Sequence, residues 1–178
     1  MNTYIAFLRG INVGGHHKLP MADLKVIFNN LGYTDIITIL NSGNIIFKTP
    51  KQKSNDLEKT IEKVLEETFH FPVPTCIREA SQIQELYHCD PFQHIEISKD
   101  IRLYISLLKE DKDIPIELPW VSTDTSYQIL EKREATIISV LDLSISKTTT
   151  AMKILENNYG KNITTRNWKT IERIIKKL

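Results

Sequence analysis

The sequence is sparing with the residues that would announce a function. Its two cysteines, Cys76 and Cys89, are too few for a disulfide framework in 178 residues, so free thiols and a cytoplasmic location are expected. No apolar run approaches the roughly 20 residues that cross a bilayer. The opening Met1-Asn2-Thr3-Tyr4 lacks the basic region and long apolar core of a signal peptide, so no membrane association is expected. Excess charge is lacking too. With 23 basic and 22 acidic residues the formal net charge is +1, which gives no broad electrostatic reason to bind duplex nucleic acid or an anionic membrane. His16-His17 and His88-Cys89 are merely adjacent pairs, no spacing matches a zinc site, and no metal is expected. No serine stands in a nucleophile-elbow motif, and Cys89 has no partner that would mark it as a nucleophile. Glycine is scarce as well, at 6 residues, yet three of them fall in one short stretch, Arg9 to Lys18.

What remains is an ordinary globular composition, 41% hydrophobic and 25% charged, long enough for one sizeable core or two small packed halves. Tyr4 to Leu8 is a short apolar run that reads as a strand buried on both faces. After the glycine loop, Pro20 suits a first helical position, and Met21, Leu24, Ile27, Phe28 and Leu31 recur at helical spacing up to Gly32. Ile36 to Leu40 and Ile45 to Phe47 are the next two strands, joined by Asn41-Ser42-Gly43-Asn44, which has the composition of a tight turn. Ser54 or Asn55 then opens a second helix, whose stripe is Leu57, Ile61, Val64, Leu65 and Phe69. Pro72 and Pro74 close it before a weaker strand, Thr75 to Arg78.

The order βαββαβ is the split-βαβ, ferredoxin-like pattern. It predicts an α+β first half over residues 1–79, with strands one and three side by side and antiparallel. The Arg9–Lys18 loop and the Asn41–Asn44 turn should then share one sheet edge. In residues 80–178 a short helix over Ala80 to His88, a strand over Ile101 to Leu108 and a loop over Asp111 to Asp124 are expected. A hairpin pair follows, Ser126–Leu130 and Thr136–Leu141 around Glu131 to Glu134, and then helices over about Thr149 to Tyr159 and from Asn167 onward. This suggests a second ferredoxin-like α+β half, although no internal repeat stands out in the sequence. Because the first-half strands are apolar on both faces, the two halves are expected to pack as one body.

These residues resemble a known family. Tyr4 to Gly15, with Lys18, Pro20-Met21 and Leu24, is similar to the opening of the bacterial "domain of unknown function 1697" proteins. Ser42-Gly43-Asn44 with Ile45-Ile46-Phe47, Pro91-Phe92, Ser146-Lys147 and Thr165 to Thr170 resemble later blocks. The resemblance implies an α+β protein of ferredoxin-like halves and no particular activity. It marks Arg9, Asn12, Lys18, Ser42, Asn44, Lys147, Arg166 and Asn167 as signature polar positions.

A glycine loop between a strand and a helix is where backbone N–H groups and a helix N-terminus can hold an anion. Gly10, Gly14 and Gly15 would leave the backbone open, Arg9 and Lys18 would add charge, and Asn12, Ser42 and Asn44 would add donors. The loop is neither a P-loop, since His16 and His17 stand where Lys and Ser/Thr belong, nor a dinucleotide fingerprint. Near the C-terminus, Asn167 can cap the last helix and Trp168 can anchor it, leaving Arg166 without an evident structural role. Lys147 precedes the helix start at Thr148-Thr149-Thr150. If Arg9, Lys18, Lys147 and Arg166 met, the site would be strongly basic.

The expectation is therefore a cytoplasmic protein binding a small phosphorylated or carboxylated ligand at the glycine loop. His16 or His17 would be its only acid–base candidates. The alternatives are a regulatory module docking an acidic protein partner and, third, a single-stranded nucleic-acid binder. Nucleic acid is the weakest of these. Tyr4, Phe7 and Phe47 lie on sheet strands, but Ser42 to Thr49 lacks the basic-aromatic pattern of an RNA-binding third strand. Lys169, Arg173, Lys176 and Lys177 read as the solvated end of a helix. Cofactor, catalytic residues and oligomeric state are not indicated by the sequence.

Overall fold

The computed structural model describes residues 1–112 and 116–178. Fourteen elements follow one another: β1 Asn2–Leu8, α1 Met21–Asn30, β2 Thr34–Ile39, β3 Asn44–Thr49, α2 Ser54–Phe69, β4 Thr75–Glu79, α3 Ala80–His88, β5 Ile101–Leu108, β6 Trp120–Val121, β7 Tyr127–Arg133, β8 Thr136–Asp142, α4 Thr148–Tyr159, β9 Ile163–Asn167 and α5 Trp168–Ile175. Two antiparallel sheets result, ordered β2-β3-β1-β4 and β6-β7-β8-β5-β9. The chain divides into one unit of Met1–Leu86 with Arg173–Leu178 and another of Tyr87–Glu172. The protein is thus α+β, with two antiparallel sheets and five helices among the described residues.

In the first unit β1 lies beside β3 and antiparallel to it, Ile5 opposite Ile46 and Phe7 opposite Asn44, as the element order predicts. Alternation along the strands sends Tyr4, Ala6, Leu8, Ile45, Phe47 and Ile77 into one core with Leu24, Phe28, Leu57, Ile61 and Leu65 of the two helices. Ile5, Phe7, Ile46 and Cys76, which point the other way, are buried too, which is why these strands read as apolar on both faces. Helix α1 starts one residue later than expected: Pro20 stands at the N-cap, where its carbonyl accepts the first helical bond from Leu24 N at 3.2 Å. Its C-terminus closes at Gly32, whose N–H donates to Asn29 O at 2.9 Å while that of Tyr33 reaches Phe28 O at 3.1 Å, the paired bonds of a Schellman motif. Helix α2 is capped by neither Ser54 nor Asn55; Lys53 holds the N-cap position without a side-chain bond. The same helix protects the outer edge of β4. Glu62 Oε1 accepts from Thr75 N at 2.6 Å and Glu58 Oε1 from Ile77 N at 2.8 Å, so donors that could pair with another chain are occupied.

Four strands of the second unit repeat the first sheet, β7-β8-β5-β9 answering β2-β3-β1-β4, with β6 added at the edge. Tyr4 faces Phe47 on one side and Glu79 on the other, and Tyr104 faces Ser139 and Asn167 in the same way. Tyr104-Ile105-Ser106 therefore answers Tyr4-Ile5-Ala6, and Ile137-Ile138-Ser139 answers Ile45-Ile46-Phe47. Helix α4 answers α2, α2 leading from β3 into β4 and α4 from the corresponding β8 into β9. The first crossover differs: α1 joins the first two strands of one unit, whereas residues 109–119 and β6 stand at that point in the other. The expected Asp111–Asp124 loop thus contains a two-residue strand pairing with Ile129 and Gln128; residues 113–115 of it lie outside the described residues. The hairpin is longer than expected, β7 running through Glu131-Lys132-Arg133 to a turn at Glu134-Ala135. Besides β6, a second strand was absent from the sequence reading: Ile163–Asn167 forms β9, pairing with β5.

Candidate functional site

The loop after β1 folds into a miniature hairpin. Gly14 and Gly15 occupy its two-residue tip with φ of 60° and 80°, the positive values that a type I′ turn needs at both positions. His16 N closes the turn on Val13 O at 3.1 Å, and Asn12 N continues the ladder to His17 O at 3.1 Å. Asn12 is itself left-handed, φ 54°, a conformation its short polar side chain tolerates better than most.

That side chain ties the hairpin down. Asn12 Oδ1 accepts from Leu19 N at 2.8 Å, while Nδ2 donates to Leu19 O at 3.0 Å and to Asn41 O at 2.8 Å. The amide pairs with Leu19 much as a strand backbone would and then reaches the neighbouring turn. Both of its protons are spent on carbonyls, so Asn12 acts by fixing the loop's path. Asn44 is used alike. Fully buried, it donates to Ile39 O at 2.9 Å and to Ser42 Oγ at 3.1 Å.

Loop and turn share the sheet edge that the strand order requires. Leu8 N donates to Gly43 O at 2.8 Å, and Arg9 N to Pro74 O at 2.8 Å. Gly43 is the tightest position. A Cβ there would stand 2.6 Å from Ile11 Cδ1 and 2.8 Å from Leu8 Cβ, on a residue with φ +75°. The Ser42-Gly43-Asn44 motif is thus a turn pressed directly against β1 and the start of the loop.

Around this frame the reactive groups separate. Lys18 and His16 are exposed, whereas Arg9 is half-buried. The N–H groups of Gly14, Gly15 and Lys18 have no hydrogen-bond partner among the described residues. His17 lies flat on Phe71, ring centroids 4.4 Å apart and 17° from parallel, with Nδ1 3.1 Å from Gly10 O. Phe71 and Leu19 were missing from the sequence reading, which placed Asn41 beside the loop only as a turn residue. They contribute a ring face or backbone groups, and no local pattern in the sequence points from Phe71 or Leu19 to the loop.

Lys147, Arg166 and Asn167 belong to the second unit. Lys147 is itself the N-cap residue of α4, extended at φ −109° and ψ 150°, and its carbonyl accepts from Thr150 N at 2.9 Å. Asn167 caps α5, Oδ1 accepting from Lys169 N at 3.0 Å, and Trp168 is anchored by stacking on Tyr87 and meeting Phe92 edge-on. Arg166 lies within β9 at 9% exposure, Nη1 donating to Thr165 O at 2.9 Å. It therefore has the structural setting that the sequence reading denied it. Cys76 is a buried free thiol and Cys89 an exposed one. Among the described residues no three His, Cys, Asp or Glu side chains gather as metal ligands, and no helix is long and apolar enough to cross a membrane.

Fold and loop together define an α+β protein of two antiparallel sheets, with a clipped glycine hairpin at the edge of the first. The family model described as "Protein of unknown function (DUF1697)" matches residues 1–126, and the chain belongs to this family. It is similar to a solved structure, that of the conserved bacterial protein SP0830 from Streptococcus pneumoniae. The two are 22% identical with a TM-score of 0.73, over 99% of this chain and 98% of that one. No curated protein matches the chain.

Proposed function

We propose that the chain binds a small phosphorylated or carboxylated molecule at the Arg9–Lys18 hairpin. One observation carries this reading: the exposed N–H groups of Gly14, Gly15 and Lys18 are held in a loop that Asn12 fixes through three hydrogen bonds. Donors fixed before binding lose little entropy on meeting an anion. The Lys18 ammonium supplies formal charge beside them, and Arg9, Ser42 and Asn44 set the wall behind. In this reading Gly10, Gly14 and Gly15 give the backbone its path. Both units are ferredoxin-like halves, the second without a first crossover helix among its described residues, and the protein works in the cytoplasm with free thiols.

A second reading, docking of an acidic protein partner, is favoured by Val13, 69% exposed beside the hairpin tip. The two readings separate in one experiment. A thermal-shift screen with inorganic phosphate, sugar phosphates and dicarboxylates should raise Tm with ligand concentration by mass action, and the rise should shrink in Lys18→Ala and Arg9→Ala variants. No shift with any of these compounds, or an undiminished shift in both variants, would contradict the small-anion reading. Stoichiometric capture of an acidic protein that is lost in Val13→Asp would favour the second.

A further inference from the structure

The second unit buries three hydroxyls that have no hydrogen-bond partner among the described residues: Tyr127 Oη, Ser139 Oγ and Tyr159 Oη. Tyr127 and Ser139 are fully enclosed and Tyr159 is 9% exposed. The topology gathers them. Ser139 shares its face of β8 with Ile137 and Leu141, which belong to the same core as Tyr127, Ala151, Leu155 and Tyr159. Tyr104 stands directly opposite Ser139 on β5, and its own hydroxyl is occupied by Thr148 Oγ1 at 3.1 Å. Burial pushes the Tyr127 phenol far above its usual range, and Tyr159 and Tyr104 add to the rise while Ser139 opposes it. Strand pairing makes two of them neighbours by geometry: Tyr127 lies opposite Leu141 and Ser139 opposite Ile129 on the paired strands β7 and β8, one step along the same face.

The first unit shows how the same place looks when carbon fills it. Ser139 corresponds in register to Phe47, whose ring packs 5.8 Å from Tyr4, 5.2 Å from Phe28 and 4.7 Å from Tyr33. Phe28 comes from α1 and Tyr33 from the residues just after it, and among its described residues the second unit has no helix at that point. There a serine replaces the phenylalanine, and two tyrosines bring hydroxyls into the core. Buried hydroxyls without partners are rare, because each forfeits its bonds to water. A recess of about 10 Å³, lined by Leu108, Lys109, Glu110, Lys112, Tyr159 and Asn162, reaches this core at Tyr159. That is roughly the space of one water-sized sphere.

We propose that the core of the second unit is a built hydration site, in which a water molecule or a short chain of them bridges the hydroxyls of Tyr127, Ser139 and Tyr159, with the recess at Tyr159 as the route to solvent. Three hydroxyls provide the roughly two to four partners that a buried water requires. Un-ionised phenols carry no charge to balance an ion.

The test is a double-mutant cycle of Tyr127→Phe and Ser139→Ala, read by calorimetry on the full chain, with water–protein cross-relaxation NMR on the unsubstituted protein. Loss of a bridge should lower Tm by roughly 2–4 °C in either single variant. The double variant should lose less than the sum of the two, because both act on the same water. Long-lived water contacts to the Tyr127 ring should disappear in Tyr127→Phe. Should Ser139→Ala fail to fold, Tyr159→Phe replaces it in the same cycle. If the tyrosine variants keep or gain stability, if the effects are additive, or if no long-lived water contacts the ring, the proposal is overturned, since removing a hydroxyl that lacked any partner would be neutral or favourable.

Discussion

Gly43→Ala puts the described packing at the sheet edge to a quantitative trial. Two independent penalties meet at this residue. Its φ of +75° lies in the left-handed region, which costs a residue bearing a Cβ about 1–2 kcal/mol. The new methyl would also stand 2.8 Å from Leu8 Cβ and 2.6 Å from Ile11 Cδ1. The isoleucine methyl can swing away, but Leu8 Cβ is fixed to the backbone of β1, whose N–H is bonded to Gly43 O. Overpacking of this kind costs about 1–3 kcal/mol. Together the penalties come to about 2–5 kcal/mol, or a fall in Tm of roughly 5–15 °C for a chain of this length. Gly10→Ala is the control. Its φ is +73°, but nothing lies within 4 Å of its Cβ position, so only the backbone penalty of about 1–2 kcal/mol applies. The unfolded-chain effect of Gly→Ala is common to both and cancels in the comparison. Differential scanning calorimetry of the two variants reads the difference. Equal Tm values would show that the turn does not press on β1 as described.

Three further outcomes follow from the same contacts. Asn12→Ala leaves the buried Leu19 N–H and carbonyl unpaired and should cost about 1–3 kcal/mol in chemical denaturation, whereas Lys18→Ala, at an exposed position, should change stability by less than about 0.5 kcal/mol. Asp124 is held below the usual carboxylate range by the hydroxyls of Ser122 and Ser126 and by Ser126 N–H; its contribution is present above that range and lost as pH falls through it. Asp124→Asn should therefore be the less stable protein at pH 7 and converge with the parent in acid, and a gap independent of pH would contradict this. Burial pushes Tyr159 up to about 12 and Tyr127 higher still. Their neutral forms favour the fold at and below the ordinary phenol range near 10, and that contribution fades as pH rises toward 12. An ultraviolet titration should show a delayed phenolate fraction that moves to ordinary pH on unfolding in urea.

The first sheet was legible in the sequence because its signals are local. The apolar run of β1, the spacing of Leu24, Ile27 and Phe28, and the turn residues at Asn41–Asn44 each declare an element, and their order fixes which strands meet. Strand β9 gave no such signal. Thr164 and Arg166 are polar yet nearly enclosed at 5% and 9% exposure, so neither alternation nor an apolar run marks the strand. Strand β6 was hidden by its length of two residues beside Pro119. Asn12 and Asn44 stood out as polar residues in turns, but their partners, the backbone of Leu19 with Asn41 O and Ile39 O with Ser42 Oγ, are chosen by the folded path. The repeat was equally hidden. Phe47 and Ser139 occupy one structural position with unlike side chains, and only the register of the strands equates them.

The glycine amides of the hairpin report directly on the anion site proposed there. In an 15N-correlated NMR titration with inorganic phosphate, the amides of Gly14, Gly15 and Lys18 should shift together and saturably, while Gly32 and Gly160 stay in place, and the Gly14 and Gly15 response should weaken in Lys18→Ala. A loop that stays silent, or that responds no more than Gly32 and Gly160, would contradict the anion-site reading.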